Sequence, residues 1–169
     1  MRPNRTTHVF FAGQPTNRWR RKIFEFKSIP GWEIINGHTD LATAFQRSVF
    51  CLDLGGAGFS TRFTLAIILG CIPVYLDELD QPWNEQLSLD DFSIRFSHSD
   101  IDNLPEMLGN IAVWEIQAMQ EMIHLEWTKF HWKHFFGSIG GDPNRMDAFD
   151  VLMQTLADML PNEGITDEY

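Results

Sequence analysis

The segment Ser48-Val-Phe-Cys-Leu-Asp-Leu-Gly-Gly-Ala-Gly-Phe-Ser-Thr-Arg62, followed by Ala66-Ile-Ile-Leu-Gly-Cys-Ile-Pro-Val74, constrains the fold of this chain more than any other. An apolar run closed by glycines reads as a buried strand and a tight turn. Ser60, Thr61 and Arg62 then open a helix, and Ile72 to Leu76 forms a second buried strand. A strand–turn–helix–strand unit of this kind joins parallel neighbours by a right-handed crossover. The first turn of its helix offers unpaired backbone N–H groups and the positive end of a dipole, which suits a phosphate. Arg62 adds a planar guanidinium to the same place.

The pattern extends in both directions. Val9 to Ala12 is a first strand closed by Gly13, and Arg18 to Lys27 places Trp19, Ile23 and Phe26 at helical spacing. A short second strand, Glu33 to Ile35, follows Pro30-Gly31. Asp40 caps a helix with Leu41, Ala44 and Phe45 on one face. Val49 to Leu54 is the third strand, Thr61 to Leu69 a helix and Ile72 to Leu76 the fourth strand. Phe92 to Phe96 alternates apolar and polar residues as an edge strand does. The expected fold class is α/β, a Rossmann-like parallel sheet with helices on both faces and strand order 2-1-3-4-5. That order reverses between strands 1 and 3, and ligands bind outside the strand ends at such a point. The bordering loops, Gly13 to Asn17 and Gly55 to Ser60, are also those with the best phosphate-site chemistry.

The last third reads as helices over Asp102 to Asn110, Ile111 to Phe135 and Arg145 to Leu160. In the last of these, Met146, Phe149, Met153, Leu156 and Leu160 form the expected inner face. Residues 1–160 are expected to form a single domain, with 161–169 an acidic tail.

Composition narrows the partners. A net charge of −10 argues against nucleic acid, which needs a basic surface. The charge is uneven: seven basic residues and one acid lie up to Lys27, leaving six basic and twenty-two acidic residues beyond it. A basic patch on an acidic body fits an anionic ligand such as a nucleotide diphosphate; a solvated helix face fits it equally. No segment reads as membrane-spanning, since the longest uncharged run, Phe63 to Leu76, has 14 residues and contains Gly70 and Pro73. Cys51 and Cys71 sit in apolar strand contexts without metal or redox spacing, and two buried free thiols are expected.

Other candidate chemistry is thinner. Gly55-Gly-Ala-Gly58 lacks the spacing of a dinucleotide or P-loop motif. His124, His131 and His134 fall near one helical face, but Trp127 shares it, so an aromatic seam is expected there and no metal. Asp77, Glu78 and Asp80 follow the fourth strand, as a solvated loop or as acceptors for sugar hydroxyls. No catalytic residue is assigned.

The wording from His8 to Phe96 closely resembles the exostosin family of glycosyltransferases, with its Phe-Cys-Leu, glycine turn, Ser-x-Arg and Gly-Cys-Ile-Pro-Val. The resemblance implies the C-terminal, donor-binding lobe of a two-lobed, GT-B type enzyme, without the N-terminal lobe and its membrane anchor. It implies sugar transfer with inversion, from a nucleotide sugar to a glycan or glycoprotein acceptor, in the Golgi. The donor would be a uridine diphosphate sugar, used without a cofactor or an obligatory metal. Gly13, Arg18, Gly56, Ser60, Thr61 and Arg62 would hold it, with Arg20 and Arg21 competing for the role of Arg18. Where the family has Ser-x-Arg-x-x-Glu-Ala, this chain has Leu65 in place of the glutamate. By resemblance that carboxylate would accept the donor's ribose hydroxyls, so a weakened site is expected. The alternatives are a degenerate, non-catalytic lobe acting through weak nucleotide binding or a protein partner, and a flavodoxin-like binding domain.

Overall fold

The computed structural model describes residues 5–55, 61–132 and 145–160. The chain divides into two compact units, residues 1–127 and residues 128–169. The first holds strands β1 (Thr7–Gly13), β2 (Trp32–Asn36), β3 (Ser48–Asp53), β4 (Ile72–Leu76) and β5 (Ile94–Phe96). They form one sheet in the order β2-β1-β3-β4-β5, and every pair is parallel. The expected order and the chain reversal at β1 are both present. Helices α1 (Arg18–Glu25), α2 (Leu41–Arg47) and α3 (Arg62–Ile68) connect the first four strands, and α4 (Leu104–Gly109) and α5 (Val113–Glu126) follow β5.

β1 is the centre of the core because neighbours cover both of its faces. Val9, Phe10, Phe11 and Ala12 are all buried. Successive side chains of a strand point to opposite faces. Phe10 and Ala12 accordingly join Ala44 and Phe45 of α2 and Ala66 of α3 in one cluster, whereas Phe11 meets the edge of Phe24 on α1. Phe50, Leu52, Ile72 and Val74 are buried as the apolar runs of β3 and β4 require.

The helix ends are closed by side chains placed for it. Asn17 caps α1, its Oδ1 accepting from Arg20 N at 2.8 Å. Asp40 caps α2 by accepting from Ala42 N and Thr43 N. The Thr43 hydroxyl, and then its N–H, hold the Asp40 carboxyl below its ordinary range. At the opposite edge of the sheet the Arg5 guanidinium donates to Phe45 O (2.8 Å) and Ser48 O through Nη1, and to Leu69 O (3.3 Å) and Gly70 O (2.6 Å) through Nη2. One cation thus satisfies the orphan carbonyls that end α2 and α3, where the helix dipoles favour positive charge.

Three expectations fail. Cys51 and Cys71 are not free thiols but a disulfide, with Cα atoms 6.0 Å apart. Cys51 faces the α2/α3 layer from β3, and Cys71 sits in the turn before β4, in the same cluster. Parallel pairing of β3 with β4 brings the two together over a separation of 20 residues. In the second unit, α6 (Ala148–Met159) buries Ala148 and Val151, while Phe149, Met153, Leu156 and Leu160 are exposed. The expected inner face is therefore the outer one. α5 is also shorter than the expected Ile111 to Phe135: it ends at Glu126, and a 3₁₀ turn, Trp127–Phe130, follows. Residues 161–169, the expected acidic tail, lie outside the described residues. Among the described residues no helix is long and apolar enough to cross a membrane.

The disulfide closes a loop for which chain-entropy arguments give about 3 kcal/mol of stabilisation. The double variant Cys51→Ala/Cys71→Ala is therefore expected to unfold with a free energy lower by about that amount, read from urea melts. Reductant should lower the stability of the parent protein similarly and leave the variant unmoved. A thiol titre in denaturant, before any reduction, would show the bond to be absent.

Candidate functional site

The sheet reverses between β1 and β3, and sheets of this order bind ligands in the crevice outside the C-terminal strand ends at such a point. Gly13 ends β1, and its carbonyl accepts from Gly37 N at 3.2 Å. A Cβ on Gly13 would lie 3.2 Å from the Phe11 ring and 3.4 Å from Arg20 Nη1. The missing side chain is what lets a guanidinium lie against the end of the strand.

That guanidinium belongs to Arg20, which is only 6% exposed. Arg20 Nη1 donates to Gln14 O at 3.4 Å, and Nη2 donates to Gly55 O. One side chain thereby ties the loop after β1 to the turn after β3. Its Nε is buried with no hydrogen-bond acceptor among the described residues. Burial lowers the proton affinity of Arg20 most, the charge of Arg62 lowers it further, and Asp53 opposes both. Two arginines, one from each side of the reversal, are thus close enough to sense each other.

Asp53 ends β3 and is 1% exposed; its Oδ1 accepts from Gly55 N at 3.2 Å. This carboxylate-to-backbone turn directs the chain into the glycine segment. Gly55 has φ of +63°, and a Cβ there would approach Leu79 Cδ2 to 3.0 Å. The left-handed backbone favours glycine, and a Cβ would in addition make the Leu79 side chain give way. Thr61 then precedes Arg62, the first residue of α3. Gly56 and Ser60, expected to line the site, lie outside the described residues, as do Ala57 and Gly58.

Arg18 is placed differently from Arg20. It is exposed, and its guanidinium carbon lies 3.6 Å from the centre of the Trp19 ring. Trp19 stacks on His98, with centroids 4.0 Å apart and planes 23° from parallel. His98 Nε2 in turn lies 3.3 Å from Glu78 Oε1. Of the three carboxylates after β4, Glu78 thus has a defined partner, while Asp77 holds β5 through its own N–H, which donates to Phe96 O at 2.9 Å. Lys22 bonds Asp102 at 2.8 Å and fastens α1 to the segment after β5. Among the described residues no group of three metal-type ligands converges; His134 lies outside them.

Arg20 was one of three competing cations, and Asp53 carried no assignment from sequence. Helix phase singles out Arg20, which stands three residues before the buried Ile23 and so on the inner face of α1. Leu65, on α3, packs against the cluster of Phe10, Phe45, Cys51 and Cys71. In this chain that position serves the core.

Gly55→Ala forces a Cβ into a left-handed backbone against Leu79. A loss of about 1–2 kcal/mol in unfolding free energy is expected from the backbone alone. Leu79→Ala in the same background should recover the part due to the clash, and urea melts of both variants measure the two contributions.

Comparison with known proteins agrees with this architecture. The exostosin GT47 domain matches residues 1–111. A probable glucuronoxylan glucuronosyltransferase of Arabidopsis thaliana is 35% identical over 80 residues, which are 46% of this chain and 17% of that protein. A probable glucuronosyltransferase of Oryza sativa subsp. japonica is 33% identical over 110 residues, 62% of this chain and 25% of that protein. A probable beta-1,4-xylosyltransferase of Arabidopsis thaliana is 30% identical over 148 residues, 85% of this chain and 34% of that protein. The chain thus spans about a third or less of these relatives. Sheet order, glycine turn and sequence agree: this chain belongs to the exostosin GT47 family.

Proposed function

We propose that this chain is the donor-binding lobe of an inverting glycosyltransferase, taking a sugar from a uridine diphosphate sugar to a glycan or glycoprotein acceptor. The observation that carries the reading is the pair Arg20 and Arg62, set on opposite sides of the β1/β3 reversal and sensing each other's charge. Two like charges held near each other are stabilised by an anion between them. A diphosphate meets that need, and Arg20 offers it a buried Nε–H with no acceptor among the described residues. Gly13 permits the close approach at the end of β1. Gly56, Ser60, Thr61 and Arg62 are assigned to the other side of the diphosphate. Arg20 takes the second phosphate role, because its guanidinium lies in the crevice and that of Arg18 lies on Trp19.

In sugar transfer the leaving diphosphate gains charge in the transition state. Fixed guanidinium groups in a site of low dielectric stabilise that charge without having to reorganise. The relatives are named for glucuronosyl and xylosyl transfer, so a uridine diphosphate sugar of one of these kinds is the donor proposed. The acceptor site and the catalytic base are assigned to a partner lobe. A Golgi lumen suits the disulfide, which persists in oxidising compartments. A second reading, a lobe that binds nucleotide weakly without turnover, draws on Leu65, which offers the core an apolar contact and a ribose no acceptor.

Titration of the purified chain with uridine diphosphate tests the reading. Arg62→Ala removes a charge-assisted hydrogen bond worth about 1.5–3 kcal/mol, so affinity should fall tenfold or more. Unchanged affinity in a folded variant would remove Arg62 from the site. Leu65→Glu separates the two readings. Tighter uridine diphosphate binding marks a donor site short of one acceptor. A loss of stability alone, with micromolar binding by the parent, shows that the ribose is held elsewhere.

A further inference from the structure

The loop that leaves β4 is tied to both sides of the β1/β3 reversal. Leu79 lies against Gly55 of the turn after β3, where a Cβ on the glycine would meet Leu79 Cδ2 at 3.0 Å. Glu78 Oε1 lies 3.3 Å from His98 Nε2, and His98 stacks on Trp19 of α1, the helix after β1. Gly55 O in turn accepts from Arg20 of the same helix. Residues 78 and 79 therefore stand at the C-terminal edge of the sheet, beside the glycine turn assigned to the diphosphate.

Gln81 follows two residues later, its Cα within about 7.6 Å of that of Leu79 whatever path the chain takes. It is 9% exposed, although glutamine is a residue mostly found exposed. Its amide hydrogen-bonds no group of the protein among the described residues. Nor is that amide sealed away from solvent, as Arg20 Nε is. A buried stem thus carries an amide whose donor and acceptor both remain open. The backbone around it is held as well. Pro82 confines Gln81 to extended conformations and fixes its own φ. Trp83 then has φ of +65°, a left-handed conformation disfavoured for a residue of its size. The Trp83 carbonyl accepts from Gln86 N at 3.1 Å and Leu87 N at 2.9 Å, which closes the loop. Strain of this kind persists where the surroundings fix it, and it gathers at binding sites.

Ordering a glutamine stem costs side-chain entropy, and here no hydrogen bond within the protein offsets it. A ligand would supply that bond. The amide is planar and neutral, with a donor and an acceptor side by side, so it complements an uncharged group that carries the same pair in reverse. We propose that Gln81 is a specificity-determining residue of the donor site. Its amide pairs with an uncharged part of the donor that offers a neighbouring acceptor and donor, either the edge of the uracil ring or two adjacent sugar hydroxyls. The inference rests on the donor-site reading above and adds to it a residue that reads something other than charge.

Calorimetric titration of the whole chain and of Gln81→Met with inorganic diphosphate, uridine diphosphate and its glucose derivative tests this. Methionine keeps the unbranched shape and removes both polar atoms. The variant should bind the glucose derivative about tenfold more weakly and inorganic diphosphate within about twofold of the parent. Uridine diphosphate tells the two sources apart: weakened equally, it marks the uracil edge, and unchanged, it marks the sugar. Urea melts should show the variant at least as stable as the parent, since no internal hydrogen bond is lost. A clear loss of stability would make the amide a fastening of the loop and overturn the proposal. Equal weakening of all three ligands, or of none, would overturn it too and leave the donor site standing. If the parent binds neither nucleotide, the donor-site reading falls and this inference falls with it.

Discussion

The geometry of the crevice follows from one constraint, the placement of β1 between two parallel neighbours that leave it in opposite directions. Chain leaving β1 for β2 and chain leaving β3 for β4 depart to opposite sides, which in sheets of this order leaves a gap at the ends of β1 and β3. An uncovered gap at the ends of a buried sheet exposes backbone carbonyls to one another. The chain fills it with a guanidinium. Arg20 bonds Gln14 O on one side and Gly55 O on the other, and Asp53, buried beneath, offsets part of the charge. A buried cation is tolerated here because two carbonyls accept from it and a buried carboxylate stands near it.

The described residues that flank the glycine segment are fastened. The Asp53 carboxylate accepts from Gly55 N before it. Beyond it, Arg5 binds the carbonyls of Leu69 and Gly70 after α3, and the disulfide joins β3 to the turn before β4. The Arg5 contacts and the disulfide lie toward the N-terminal side of β4, away from Gly55. The strongest fastenings of this unit are thus placed at the far edge of the sheet.

Much of this is legible in the sequence where punctuation is strong. The unit β3–α3–β4 is punctuated by Gly55 after β3 and Gly70 after α3, and its strands fall within a residue of the expected limits. The reversal at β1 follows from alternation and handedness alone. Three features were not legible, each for a physical reason. A stripe such as Phe149, Met153, Leu156 and Leu160 fixes the period of a helix but not which side faces the core; the small residues Ala148 and Val151 take the inner side of α6. The disulfide depends on strand register, which places Cys71 beside β3 only once β3 and β4 pair in parallel. Arg18, Arg20 and Arg21 look alike in composition and are separated only by the phase of α1 relative to Ile23. In each case a one-dimensional signal had the right elements and lacked the third dimension that orients them.

Leu65 shows how one position can be claimed by the core. α3 is seven residues long, and its inner surface must cover Phe10, Phe45 and the disulfide while its first turn follows the glycine segment. A glutamate in the second turn would have to lay its aliphatic stem along the apolar cluster to bring its carboxylate out to a polar partner. Leucine removes that compromise. It contributes apolar burial, worth about 1.5–3 kcal/mol when complete and less for a side chain left partly exposed. It offers no acceptor to a hydroxyl. The core contact is present whether or not a ligand is bound, so the position serves the fold itself.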